Sequence, residues 1–81
     1  MEREEVKQKL IEIVVDKLRC EASEITEDTR FSDLGADSLD EIEMLMAVEK
    51  EFYIYIKDEE AAKVITCGDA FELVCQKVEA L

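Results

Sequence analysis

The chain contains no histidine and no proline, and only two glycines. Without histidine, the commonest base for activating a serine or cysteine nucleophile is missing, so hydrolase-type catalysis has no support. The same absence leaves any zinc site dependent on cysteines and carboxylates alone. The three cysteines, Cys20, Cys67 and Cys75, are odd in number and show no CxxC spacing. They read as reduced, partly buried thiols. Basic residues are scarce, 10 against 22 acids, for a formal net charge of −12. Phosphate backbones would repel such a chain, which argues against nucleic acid and against simple adsorption on an anionic membrane. No apolar run is long enough to span a bilayer. The opening MEREEVKQKL is charged from its second residue. It lacks the apolar centre of a signal peptide and is too acidic for a transit peptide, so a cytoplasmic location is expected.

What is present is an ordinary folding composition, with 48% hydrophobic residues. At 81 residues one domain, 1–81, is expected, its helices sharing a single small core. Val6, Leu10, Ile13, Val14 and Leu18 recur at helical spacing, widened by Ile11 and Val15, with Glu4, Lys7, Lys9, Glu12, Asp16 and Lys17 opposite. From Cys20 to Asp37 the periodicity fails, predicting a long structureless loop pinned by Ile25, Phe31 and Leu34. A second helix is predicted from Ser38 to Phe52 or Tyr53, and it carries two apolar stripes. Met44, Leu45, Val48 and Phe52 form one, assigned to the core. Leu39, Ile42 and Met46 form the other, beside Asp40, Glu43 and Glu49. A surface helix needs only one such stripe, so the second is either more core or a docking surface. Tyr53 to Ile56 alternates and has no partner strand, so it reads as an extended connector with Ile54 and Ile56 inward. Asp58 is expected to cap a short helix over 59–64. Thr66 to Asp69 forms a capping box for a last helix whose stripe is Phe71, Val74, Cys75 and Val78, flanked by Leu73 and Leu81.

The stretch DLGADSLD, residues 33–40, joins the loop to the second helix. Gly35 permits a turn that other residues resist. Asp37 and Asp40 have N-cap and first-turn spacing, and their carboxylates suit the positive helix end. Ser38 is then presented on an exposed helix start. By itself such a serine is usually just part of a cap. The calcium-loop pattern fits around neither Gly35 nor Gly68. Glu59 and Glu60 read as a solvated helix start, and no metal constellation stands out.

DLGADSLD resembles the phosphopantetheine attachment motif of acyl carrier proteins, Asp-(apolar)-Gly-x-Asp-Ser-(Leu or Met). The likeness continues through EIEMLMAVEKEF, the DEEA segment at 58–61 and Gly68-Asp69-Ala70, in order and at family spacing. It implies an all-α fold, a four-helix bundle of three longer helices and one short one, with a long loop between the first two. It implies a carrier and not an enzyme, with 4′-phosphopantetheine from coenzyme A attached covalently to Ser38 in a setting made by Gly35, Asp37 and Leu39. The terminal thiol of such an arm holds acyl cargo as a thioester and shuttles it between enzymes of fatty acid biosynthesis. Implied partners are a phosphopantetheinyl transferase and fatty-acid-synthesis enzymes with basic docking surfaces. They would engage Leu39, Asp40, Ile42, Glu43, Met46 and Glu49, and the carrier would act as a monomer. An acyl pocket is expected around Met44, Leu45, Ile56, Ala61 and Val64, between the second and third helices. The chain departs from the family at Lys57, where proline is common, at Tyr53 and Tyr55, and at Lys50. These differences bear on which pathway is served. A specialised carrier of a polyketide or other secondary pathway is one alternative, and an acidic helical interaction module whose serine stays unmodified is another. The residues after the serine resemble the fatty-acid type.

Overall fold

Three long helices and one short one enclose a single core in a computed structural model that describes residues 1–79. Leu81, expected to flank the last helix, lies outside the described residues. The helices are α1 (Arg3–Leu18), α2 (Ser38–Phe52), α3 (Asp58–Ala61) and α4 (Cys67–Glu79). There is no strand among the described residues, only an isolated antiparallel bridge between Arg30 and Thr66. α1 packs against both α2 and α4.

The periodic residues of each helix supply the core. Val6, Leu10 and Val14 come from α1, Met44, Val48 and Phe52 from α2, and Cys67, Ala70, Val74 and Cys75 from α4. Phe31, Ile54 and Ile56 complete it from the connections. No polar or charged side chain among the described residues is buried, so the core holds no unpaired polar group. The cysteines are free. Burial pushes the Cys67 thiol up to about 11 and raises Cys20 and Cys75 as well, which keeps these thiols protonated and unreactive.

Scarcity of glycine shows at the helix ends. α1 and α2 stop in the left-handed conformation at Arg19 and Tyr53, both at φ 55°. Such a residue costs about 1–2 kcal/mol when it is not glycine, offset here by an N–H bond back to the helix, Arg19 to the Val15 carbonyl at 2.9 Å.

The expectation of a structureless loop from Cys20 to Asp37 is corrected. It holds two 3₁₀ turns, Ala22–Glu24 and Phe31–Leu34. Threonine side chains replace the missing backbone partners: Thr26 N–H donates to Thr29 Oγ1 at 2.9 Å, and that hydroxyl donates to the Glu24 carbonyl at 3.1 Å. The loop is also stitched to the start of α4. Cys67 N–H donates to the Thr29 carbonyl and Gly68 N–H to the Glu27 carbonyl, each at 2.9 Å. A Cβ at residue 68 would stand 2.8 Å from the Glu27 oxygen, so the close approach requires glycine.

The third helix is shorter than expected and starts one residue earlier in its capping. It spans Asp58–Ala61 rather than 59–64, and Lys57 rather than Asp58 takes the cap position. Lys57 N–H donates to Glu60 Oε1 at 3.0 Å, and Glu60 is also paired with Lys77 of α4 at 2.7 Å. That double use ties the start of α3 to α4, and beyond Ala61 the chain tightens into i→i+3 bonds, Lys63 N–H to the Glu60 carbonyl and Val64 N–H to the Ala61 carbonyl, each at 3.1 Å.

α4 begins as the sequence predicts. Asp69 N–H donates to Thr66 Oγ1 and Thr66 N–H to Asp69 Oδ2, both at 3.0 Å. Backbone hydrogen bonds from Thr66 and then Ile65 hold the Asp69 carboxyl below its ordinary range, and the bond from Lys77, then the Lys57 backbone, does the same for Glu60. A carboxyl lowered in the fold contributes stability that is present above its unfolded value, about 4, and is lost as pH falls through its folded value. The stability difference between wild type and Asp69→Asn should therefore be level from pH 7 to about 5 and vanish in stronger acid. Denaturant midpoints of both proteins across that range test this, and a difference independent of pH would refute it.

Candidate functional site

The site is assembled from a buried anchor outward. Phe31 is 1% exposed and fixes the 3₁₀ turn Phe31–Leu34 to the core. Gly35 closes the turn at φ 84°, with its N–H on the Ser32 carbonyl at 3.1 Å, while Ala36 N–H returns to the Phe31 carbonyl at 3.2 Å. A Cβ on Gly35 would meet nothing within 4 Å. The demand for glycine is therefore conformational rather than steric. Asp37 follows in extended conformation and caps α2: Asp40 N–H donates to Asp37 Oδ1 at 2.8 Å, and Asp37 N–H to Asp40 Oδ2 at 3.1 Å.

This leaves Ser38 as the exposed first residue of α2. Asp37 does the capping, so the Ser38 hydroxyl takes no part in it. The hydroxyl thus faces solvent at the positive end of a 15-residue helix, on a turn fixed from both sides.

The second stripe of α2 lies outside the core. Leu39, Ile42 and Met46 are 62%, 55% and 61% exposed. Each carries its apolar side chain in water while Met44 and Val48 of the same helix are 1% exposed. At 100° per residue, Ser38, Ile42, Met46 and Leu39 fall on one side of the helix. The three acids expected beside them differ from one another. Glu43 is exposed, whereas Asp40 is half-buried and engaged in the capping box. Glu49 is half-buried too, and its carboxylate accepts the Ile56 N–H at 2.8 Å. Periodicity could not reveal that bond, because it joins a helix residue to a connector seven positions later.

The residues expected to line an acyl pocket are packed rather than open. Met44 and Ile56 are buried, and Leu45, Ala61 and Val64 are half-buried against the same core. A cavity of about 450 Å³ lies elsewhere, between α1, the long loop and the start of α4, lined by Leu10, Ile11, Val14, Ile25, Phe31 and Phe71 among others. No group of three or more His, Cys, Asp or Glu side chains among the described residues is placed to hold a metal ion. No helix among them is long and apolar enough to cross a membrane. Arg3, which the sequence did not single out, joins α1 to α4: its guanidinium lies 3.2 Å from Glu79 and 6.0 Å from the centre of the Phe71 ring.

Residues 8–69 match the family described as "Phosphopantetheine attachment site". The chain is similar to the acyl carrier proteins of two strains of Porphyromonas gingivalis, each 52% identical over 71 residues, covering 86% of this chain and 91% of the relative. Among solved structures it is similar to the acyl carrier protein of Thermotoga maritima, with a TM-score of 0.83 and 35% identity over 99% of this chain and 94% of that one. It is also similar to the acyl carrier protein of Enterococcus faecalis, with a TM-score of 0.81 and 36% identity over 95% and 99%. A capped helix start that displays an unengaged serine, on a bundle shared with these proteins, places the chain in the phosphopantetheine-binding acyl carrier family: it is a carrier, not an enzyme, and its prosthetic group is covalently held 4′-phosphopantetheine.

Proposed function

We propose that Ser38 is the attachment residue and that the chain shuttles acyl intermediates between enzymes of fatty acid biosynthesis in the cytoplasm, as a monomeric single-domain carrier. The observation that carries this reading is the exposed Ser38 hydroxyl, left unengaged because Asp37 caps the helix. The surroundings suit the group. A phosphodiester on Ser38 Oγ would lie at a positive helix end, on an exposed residue. The bound group supplies a terminal thiol that holds the cargo as a thioester. Everything else is the work of the chain itself. The Phe31 anchor, the Gly35 turn and the Asp37–Asp40 box hold the serine in one place, so that a transferase meets a rigid target.

Leu39, Ile42 and Met46 are the proposed contact with that transferase and with the synthetic enzymes, and Glu43 is the acid best placed to find a basic rim around a partner's active site. Acids steer the encounter and the small apolar stripe then docks, a design for weak and fast exchange. Glu43→Lys should slow arm loading from coenzyme A by a transferase chiefly through association. Its deficit relative to wild type should shrink as salt rises from 0.02 to about 0.5 M, because exposed charges are screened beyond roughly 8 Å at 0.15 M. Loading rates by mass spectrometry across that series test it; a deficit that ignores salt would exclude steering by Glu43.

A further inference from the structure

The cavity of about 450 Å³ behind the long loop takes no part in the site at Ser38. Three parts of the chain wall it: Leu10, Ile11 and Val14 of α1, Ile25 and Phe31 of the loop, and Phe71 of α4. No residue of α2, the helix that begins at Ser38, lines it. Leu10, Val14 and Phe31 are buried and form its back, while Ile11, Ile25 and Phe71 are half-buried. Packed interiors leave few voids larger than a water molecule, so this hollow stands apart from the rest of the core.

One side of the cavity is built by the stitching of the loop to α4. Cys67 N–H donates to the Thr29 carbonyl and Gly68 N–H to the Glu27 carbonyl. Those bonds also limit what the cavity can hold. The Cys67 and Gly68 donors are spent on the loop, and the Thr26 hydroxyl, also on the wall, is paired with Thr29 Oγ1 at 3.0 Å. No buried side-chain nitrogen or oxygen among the described residues is left without a partner. The enclosed part of a guest would meet hydrocarbon and find little to hydrogen-bond, so it must itself be hydrocarbon. Apolar cavities take up small apolar molecules on this ground. Lys7, Glu27 and Asp28 also line the cavity, and all three are exposed. Two acids to one base, on a chain of net charge −12, disfavour an anionic head.

We infer that this cavity is a second ligand site, separate from any cargo on Ser38, for a short hydrocarbon chain with an uncharged head. The hydrocarbon lies against Leu10, Val14 and Phe31, and the head stays at the water-facing side beside Glu27 and Asp28.

Titration of the unmodified chain with butanol, hexanol and octanol, followed by amide NMR shifts, tests the site. Affinity should rise about tenfold for each two carbons added, the fold-change expected from burying two methylenes. Shifts should centre on Val14, Ile25, Cys67 and Phe71, with little change at Leu45, Ala61 and Val64. Octanoate should bind about fivefold more weakly than octanol. Ile25→Trp, which puts a larger side chain into the hollow, should lower octanol affinity about tenfold. Should that variant fail to fold, Ile11→Phe on the α1 wall carries the same expectation. No saturable binding of octanol, shifts centred on 45–64, or an affinity that ignores the filling of the cavity overturns the site. Octanoate binding as tightly as octanol overturns the uncharged head. Octanol should also bind protein carrying an octanoyl arm as tightly as it binds the unmodified chain. Loss of binding there would make the cavity the shelter of the arm's own cargo and overturn a separate ligand. That last comparison rests on the reading that Ser38 carries an acyl group. Failure of Ser38 to load would refute that reading, while the titrations still judge the cavity.

Discussion

Ser38→Ala should abolish uptake of the phosphopantetheine arm while leaving the bundle folded. Incubated with coenzyme A, magnesium and a broad-specificity transferase, wild type should gain the mass of one arm, and the variant none. The loss is complete rather than graded because no other hydroxyl combines this position with this presentation. Ser23 and Ser32 lie inside 3₁₀ turns rather than at an α-helix start, and the Thr26, Thr29 and Thr66 hydroxyls are occupied in hydrogen bonds. The fold should hardly notice. Ser38 is exposed, the cap belongs to Asp37, and alanine is a better helix former than serine. A denaturation midpoint within error of wild type is expected, along with no label. Labelling of the alanine variant, or an arm found on another serine of wild type, would remove Ser38 from the site.

Phe31→Ala and Ile42→Ala should separate scaffold from docking face by a wide margin in stability. Phe31 is 1% exposed, and its loss leaves a cavity beneath the turn that precedes Gly35. A cost of about 3–5 kcal/mol is expected, a large share of the stability of a domain this small. Arm loading should then fall as well, because the serine is no longer held on a fixed turn. Ile42 is 55% exposed, and truncating it removes surface already in contact with water, for a cost below about 1 kcal/mol. Its loading rate should nonetheless drop, with a weaker dependence on salt than for Glu43→Lys. Urea denaturation beside loading kinetics for the two variants distinguishes these outcomes. An Ile42→Ala cost of the same size as that of Phe31→Ala would return the second stripe to the core.

Much of the protein was legible in the order of its residues, because the features concerned are local. The apolar stripes of α1 and α4, the two capping boxes at Asp37–Asp40 and Thr66–Asp69, and the inward Ile54 and Ile56 depend on spacing over one or two turns. So does the need for glycine at position 35. The attachment motif is likewise a run of eight residues, readable as such. What only the tertiary structure decided involves partners far apart in the chain. Spacing left the stripe Leu39, Ile42 and Met46 open between core and surface; its exposure follows from α1 packing against the other side of α2, with α4 joining the same core through α1. The loop that lacks periodicity is ordered by bonds to the start of α4, and Gly68 is required by the Glu27 carbonyl against which it packs. The tie between α3 and α4 depends on Lys77, and the diversion of Glu49 from the docking face depends on the Ile56 amide. For the stripe, packing made the choice; for the loop, Gly68 and Glu49, a polar group brought near by folding did so, since a half-buried donor left without a partner costs about 1–3 kcal/mol.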